Sequence, residues 1–261
     1  MPNVVARIFI LLLALAVSPV QSASLDFDLL AATPVGSWQE REETTVNQKG
    51  KKTVTIMRSS LLGKEQRNDK PYYWIEMAME SFKVSKKGKR KKTGDRVVIK
   101  TLVSEASLTG DPGNVLTNLR GFGEEIIMQS GKEQPMRMSG NGGLFAGVMQ
   151  ATGTEVNYDF STLGTETVST SAGEFEALRI NGTGSAETKV VFRKIKVESE
   201  STAWMSDQVP FGIVKAEGTS TLNGKPSKHS SELLDFGLSG ASSEISGEPR
   251  DMPNMGDIFG R

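Results

Sequence analysis

Two linked stretches decide how this chain is read: Ser171-Ala-Gly-Glu-Phe-Glu-Ala-Leu-Arg-Ile180 and Ser201-Thr-Ala-Trp-Met-Ser-Asp-Gln-Val-Pro-Phe-Gly-Ile-Val-Lys-Ala-Glu217. The first carries Ala172-Gly173 between Val168 and Phe175, where the backbone freedom of glycine lets a short turn reverse the chain. In the second, Trp204 alternates with Thr202 and Ser206, and Pro210 cannot donate a ladder hydrogen bond, so the strand must stop or bulge before it. A strand, hairpin, strand and corner in succession predict an antiparallel β protein. Trp204 and Phe211, flanking that corner, are expected to pack inward.

Working outward, the first 22 residues are a separate object. Arg7, the apolar run Ile8 to Val17 and the exit Ser-Pro-Val-Gln-Ser22 have the layout of a cleavable export signal, with cleavage before Ala23. The apolar run is about half of the ~20 residues a membrane-spanning helix needs. Without Arg7 the chain holds one more acidic than basic residue, which argues against a dedicated nucleic-acid binder. There is no cysteine, so neither a disulfide nor the lipid-modified cysteine of a lipoprotein is available. The expected organisation is a signal peptide at 1–22, one β domain at 23–237, and a flexible Gly-, Ser-, Pro- and Met-rich tail at 238–261. The expected destination is the periplasm.

Period-two patterning runs through the domain. Trp38 to Val46 and Thr53 to Met57 read as an exposed hairpin around Asn47-Gln-Lys-Gly50. Tyr72 to Val84 puts Tyr73, Ile75, Met77 and Met79 on one face, expected to point to the core, and Trp74, Glu76, Ala78, Glu80 and Phe82 on the other. A basic tip follows, then a strand from Arg96 to Glu105. Two short helical pieces are expected near 111–119 and 144–149, both weak because of their length and their glycines. Strand-rich chains must hide their edges, and these elements predict a strongly curved antiparallel sheet with the helical pieces over its concave face. A β-sandwich is the competing layout.

Tyr73-Trp74-Ile75-Glu76, Val98-Ile-Lys-Thr-Leu-Val103 and Ile126-Ile-Met-Gln-Ser-Gly131, with Ser171 to Ala177 and Trp204 to Lys215, resemble exported bacterial proteins related to the LolA-like lipoprotein-carrier fold. The resemblance spans about residues 35 to 237. It implies a half-barrel with a lipophilic concave face, and hence an acyl chain, a lipid or a lipoprotein as partner. It transfers no functional residue to a position here.

The residues themselves offer little chemistry. His229 is the only histidine and has no nucleophile elbow beside it, so a catalytic triad and a zinc site are both unsupported. No enzymatic activity and no cofactor is expected. Glu76 and Glu80 are about 13 Å apart along a strand and are read as a solvated face, with Lys100 as a possible cross-strand neighbour. Tyr73, Ile75, Met77, Met79, Trp204 and Phe211 are the candidates for an apolar ligand face, since methionines adapt to varied apolar shapes. Lys86, Lys87, Lys89, Arg90, Lys91 and Lys92 are the candidates for contact with an anionic membrane surface or an acidic protein. A non-enzymatic envelope protein with a filled core is the alternative to a carrier.

Overall fold

The computed structural model describes residues 33–108, 122–139, 155–190 and 193–251. They form β1 Trp38–Asn47, β2 Lys52–Arg67, β3 Lys70–Val84, β4 Arg90–Lys92, β5 Val97–Ser104, β6 Phe122–Ser130 and β7 Met136–Ser139. After these come β8 Glu155–Thr170, β9 Gly173–Val190, β10 Arg193–Met205, β11 Ile213–Leu222, β12 Lys225–Gly237 and β13 Arg250–Asp251. All of them belong to one sheet, in the order β13-β7-β6-β5-β3-β2-β1-β12-β11-β10-β9-β8, with β4 added beside β3. Pairing is antiparallel except between β13 and β7. One continuous sheet replaces the sandwich considered from sequence.

The turns follow from local chemistry. Thr170 pairs with Gly173 across Ser171-Ala172, and Leu222 with Lys225 across Asn223-Gly224, whose φ values are 51° and 75°. Arg67 and Lys70 close over Asn68-Asp69 at φ 50° and 60°. Two successive positive φ angles give the hairpin turn whose twist matches the strands, and Asn and Asp tolerate it best among residues with a side chain. That turn lengthens both flanking strands beyond the sequence reading.

The two meanders, 38–139 and 155–237, join where β12 pairs along all of β1, from Trp38 opposite Gly237 to Asn47 opposite Ser227. The C-terminal meander curls strongly. In a flat sheet β9 and β12, three strand spacings apart, would lie about 14 Å from each other, yet the rings of Phe175 and Phe236 meet edge to face with centroids 6.0 Å apart. The turn residue Ser171 likewise donates its N–H to Glu232 Oε1 on β12 (3.1 Å). Val168, Phe175, Ala177, Trp204, Val209, Val214 and Leu233 fill the concave side so formed.

The opposite face of the N-terminal meander is covered by the chain's own C-terminal segment. Residues 238–251, expected as a flexible tail, cross β1, β2, β3, β5 and β6 and end as β13 beside β7. Ala241 N–H donates to Gly36 O (2.8 Å), Ser246 N–H to Gln129 Oε1 (2.9 Å) and Arg250 N–H to Pro135 O (2.8 Å). Polar composition did not prevent ordering, because the sheet supplies partners for the backbone of this strap.

Glu76 needs correcting for the same reason. Read as solvated, it is 2 % exposed, accepting Ser243 Oγ–H (2.5 Å) and Glu244 N–H (2.7 Å) from the strap. Glu244 in turn holds Arg96 in a bidentate pair (2.6 and 2.7 Å). Ala78, Val98, Leu102, Ile127 and Gln129 are buried on this side, so both faces of β3 are packed. Among the described residues the helical structure is one 3-10 turn, Glu105–Ser107. The pieces expected near 111–119 and 144–149, the signal peptide and residues 252–261 lie outside the described residues.

Candidate functional site

Cross-strand partners share a face of a sheet, so the register specifies the composition of the concave side of the N-terminal meander. One row reads Leu233, Arg41, Met57, Met79, Val97 across β12, β1, β2, β3 and β5. The next reads Phe236, Gln39, Ser59, Met77, Ile99, Met128, Met136. Met57, Met79 and Ile99 form a buried cluster, with half-buried Met77, Val97, Ile126 and Met128 against it.

The six apolar candidates divide between two places. Met77 and Met79 belong to the methionine cluster, and Ile75 is half-buried one row along on the same face. Tyr73 lies at its rim, where its hydroxyl donates to Glu105 Oε2 (2.9 Å). Lys64 donates to the same oxygen (2.9 Å). The Lys64 ammonium, then the Tyr73 hydroxyl, hold the Glu105 carboxyl below the usual carboxylate range.

Trp204 packs instead into the second cluster, with its indole N–H donated to Glu166 and with Lys215 and Arg179 over its ring at 5.0 and 5.6 Å. Phe211 is buried at the Val209-Pro210 corner, at φ 59°, its N–H donated to Thr33 Oγ1 (2.8 Å). This corner closes over β1: with its nitrogen turned toward them, the Gln39 amide donates to the carbonyls of Pro210 (3.2 Å) and Ile213 (3.3 Å).

Sequence reasoning missed β1. Its polar run Trp38-Gln-Glu-Arg-Glu-Glu43 suggested an exposed hairpin, but β1 lies between β2 and β12, and Gln39 and Arg41 are buried. The Arg41 side chain is 7 % exposed, Glu43 is its nearest carboxylate at 4.0 Å, and its Nε has no partner. Burial pulls its pKa down, with Glu43 opposing. The only sequence signal was an arginine at an inward position of an alternating strand.

The basic hairpin projects from the sheet. Lys86 to Lys92 are exposed, and β4 returns along Phe82–Val84. Arg90 is held by Glu42 through both carboxylate oxygens (2.8 and 2.7 Å), and Lys92 by Glu80. Among the described residues Lys86, Lys87, Lys89 and Lys91 form no ion pair, so four of the six cations carry an uncompensated field. At the far tips of β8–β11 the concave side turns polar, as a groove of about 600 Å³ lined by Asn157, Asp159, Thr183, Ser185, Glu198 and Glu200. Among the described residues no group of three or more His, Cys, Asp or Glu side chains is placed to hold a metal ion.

No family model and no curated protein matches the chain. Among solved structures it is similar to a candidate lipoprotein from Parabacteroides distasonis, at 14 % identity and a TM-score of 0.35, over 79 % of this chain and 98 % of that one. It is also similar to a candidate exported protein with YmcC-like fold from Bacteroides fragilis, at 15 % identity and a TM-score of 0.35, over 82 % of this chain and all of that one. At these values the likeness fixes neither fold nor function.

Proposed function

We propose that this protein is an exported, non-enzymatic carrier or binding protein for an acyl chain, presented by a lipid or a lipoprotein, with the concave methionine face as its site. The observation that carries the reading is the cluster of Met57, Met79 and Ile99 bordered by Met77, Val97, Ile126 and Met128, which keep part of their surface. Unbranched thioether side chains reshape around an alkyl chain at low cost. A half-barrel like that of LolA-like carriers would present such a face to an acyl chain. The basic hairpin is its docking element for an anionic surface, at about 1 kcal/mol per cation brought near such a surface.

One observation favours the second reading, an envelope protein with a filled core: Trp204 and Phe211, two of the apolar-face candidates, are buried together with Val209. Uptake of a fluorescent fatty acid separates the two. Saturable uptake by wild type, lost in Met77→Asp with the fold retained, supports the carrier; no uptake by folded wild type leaves the filled core.

A further inference from the structure

On the concave face, Arg41 is a buried guanidinium whose one neighbouring carboxylate, Glu43, stands 4.0 Å away. Arg41 lies between the two apolar clusters, opposite Leu233 of one and Met57 of the other. Its side chain is more than nine-tenths buried, its Nε has no hydrogen-bond partner, and the Glu43 carboxylate at 4.0 Å from the terminal nitrogen is beyond hydrogen-bond reach. One row along, Ser231 Oγ opposite Glu43 is also buried without a partner. Buried guanidinium groups are ordinarily paired, because removing the charge from water costs several kcal/mol that only a close counter-ion offsets. Arg41 keeps its burial with only the loose, non-hydrogen-bonded Glu43 pair to offset that cost.

We infer that Arg41 is the head-group seat of this face, and that the ligand is an anionic amphiphile whose oxyanion pairs with the guanidinium while its alkyl chain runs over Met57, Met79 and Met77. The inference rests on the acyl-binding reading and names the ligand class. A guanidinium presents a planar fork of donors matched to carboxylate or phosphate oxygens, so the pairing is bidentate and strengthened by the apolar walls. The chemistry also sets direction: the head lies over β1 at the centre of the sheet, and the chain extends across β2 and β3.

The test titrates wild type, Arg41→Gln and Arg41→Lys with a saturated fatty acid, the alkyl phosphate and the alcohol of the same chain length, and inorganic phosphate alone. Wild type should bind the acid or the alkyl phosphate about tenfold or more tightly than the alcohol, and inorganic phosphate far more weakly than either. The stronger of the two anions identifies the head group. Arg41→Gln should lose the preference, binding acid, alkyl phosphate and alcohol alike, and Arg41→Lys should restore part of it. Equal binding of acid, alkyl phosphate and alcohol by wild type overturns the head-group seat but leaves the acyl site standing. Binding of none overturns both, and inorganic phosphate binding as tightly as the amphiphiles marks a free-anion site instead. Should Arg41→Gln fail to fold, the comparison of acid with alcohol in wild type still decides.

Discussion

At the scale of single residues, Trp204 and His229 show how burial sets what a side chain contributes. Trp204 fills the curl of the C-terminal meander and gives its one polar atom to Glu166. Trp204→Ala should therefore cost about 3–5 kcal/mol, since the rigid curl cannot collapse into the space. An unchanged urea midpoint would place the ring outside the core. His229 lies against Gly218, where a Cβ would come within 2.8 Å of Nε2, and its burial lowers its pKa below the ordinary histidine value. The folded state then binds the proton less readily than the unfolded chain, so stability is complete above about pH 6.5 and declines as pH falls through the lowered folded pKa. Urea denaturation across that range should show a slope that His229→Gln removes. An identical slope in the variant would assign it to other groups.

At the scale of elements, the strap and the basic hairpin are the two pieces whose behaviour the sequence misrepresented or left open. Residues 238–251 look disordered by composition, yet Glu76 accepts two of their hydrogen bonds and Gln129 a third. Nothing in a local window could show this, because the partners lie more than a hundred residues away. Glu76→Ala should leave the Glu244 N–H without its acceptor and cost about 1–3 kcal/mol. Hydrogen exchange of residues 241–250 should be protected in wild type and accelerated in the variant; free-peptide rates in wild type would remove the strap. For the hairpin, Lys86, Lys87, Lys89 and Lys91 are the cations to change, because Arg90 and Lys92 are already paired with Glu42 and Glu80. Replacing those four with Gln should abolish sedimentation with anionic vesicles at low salt and leave the melting temperature unchanged. Equal sedimentation of both proteins would make the hairpin a solvated turn.

At the scale of the molecule, the class was legible because alternation, Gly-containing turns and the break at Pro210 are local signals, and each of them recurs in the sheet as a strand, a two-residue turn or a corner. What was not legible is the closure by β1 and β12. It pairs the start of the domain with its end and thereby buries Arg41 in a strand that reads as polar. The candidate site was half legible for the same reason: period two placed Tyr73, Ile75, Met77 and Met79 on one face, but no spacing reveals that Trp204 and Phe211 pack elsewhere. The central claim is that the methionine face holds an acyl chain, and native mass spectrometry of protein recovered from the exported fraction tests it most directly. The account predicts a population heavier than the bare chain by the mass of a lipid, lost on mild activation and absent from Met77→Asp. A single bare mass for wild type, with no uptake of added fatty acid, would contradict it.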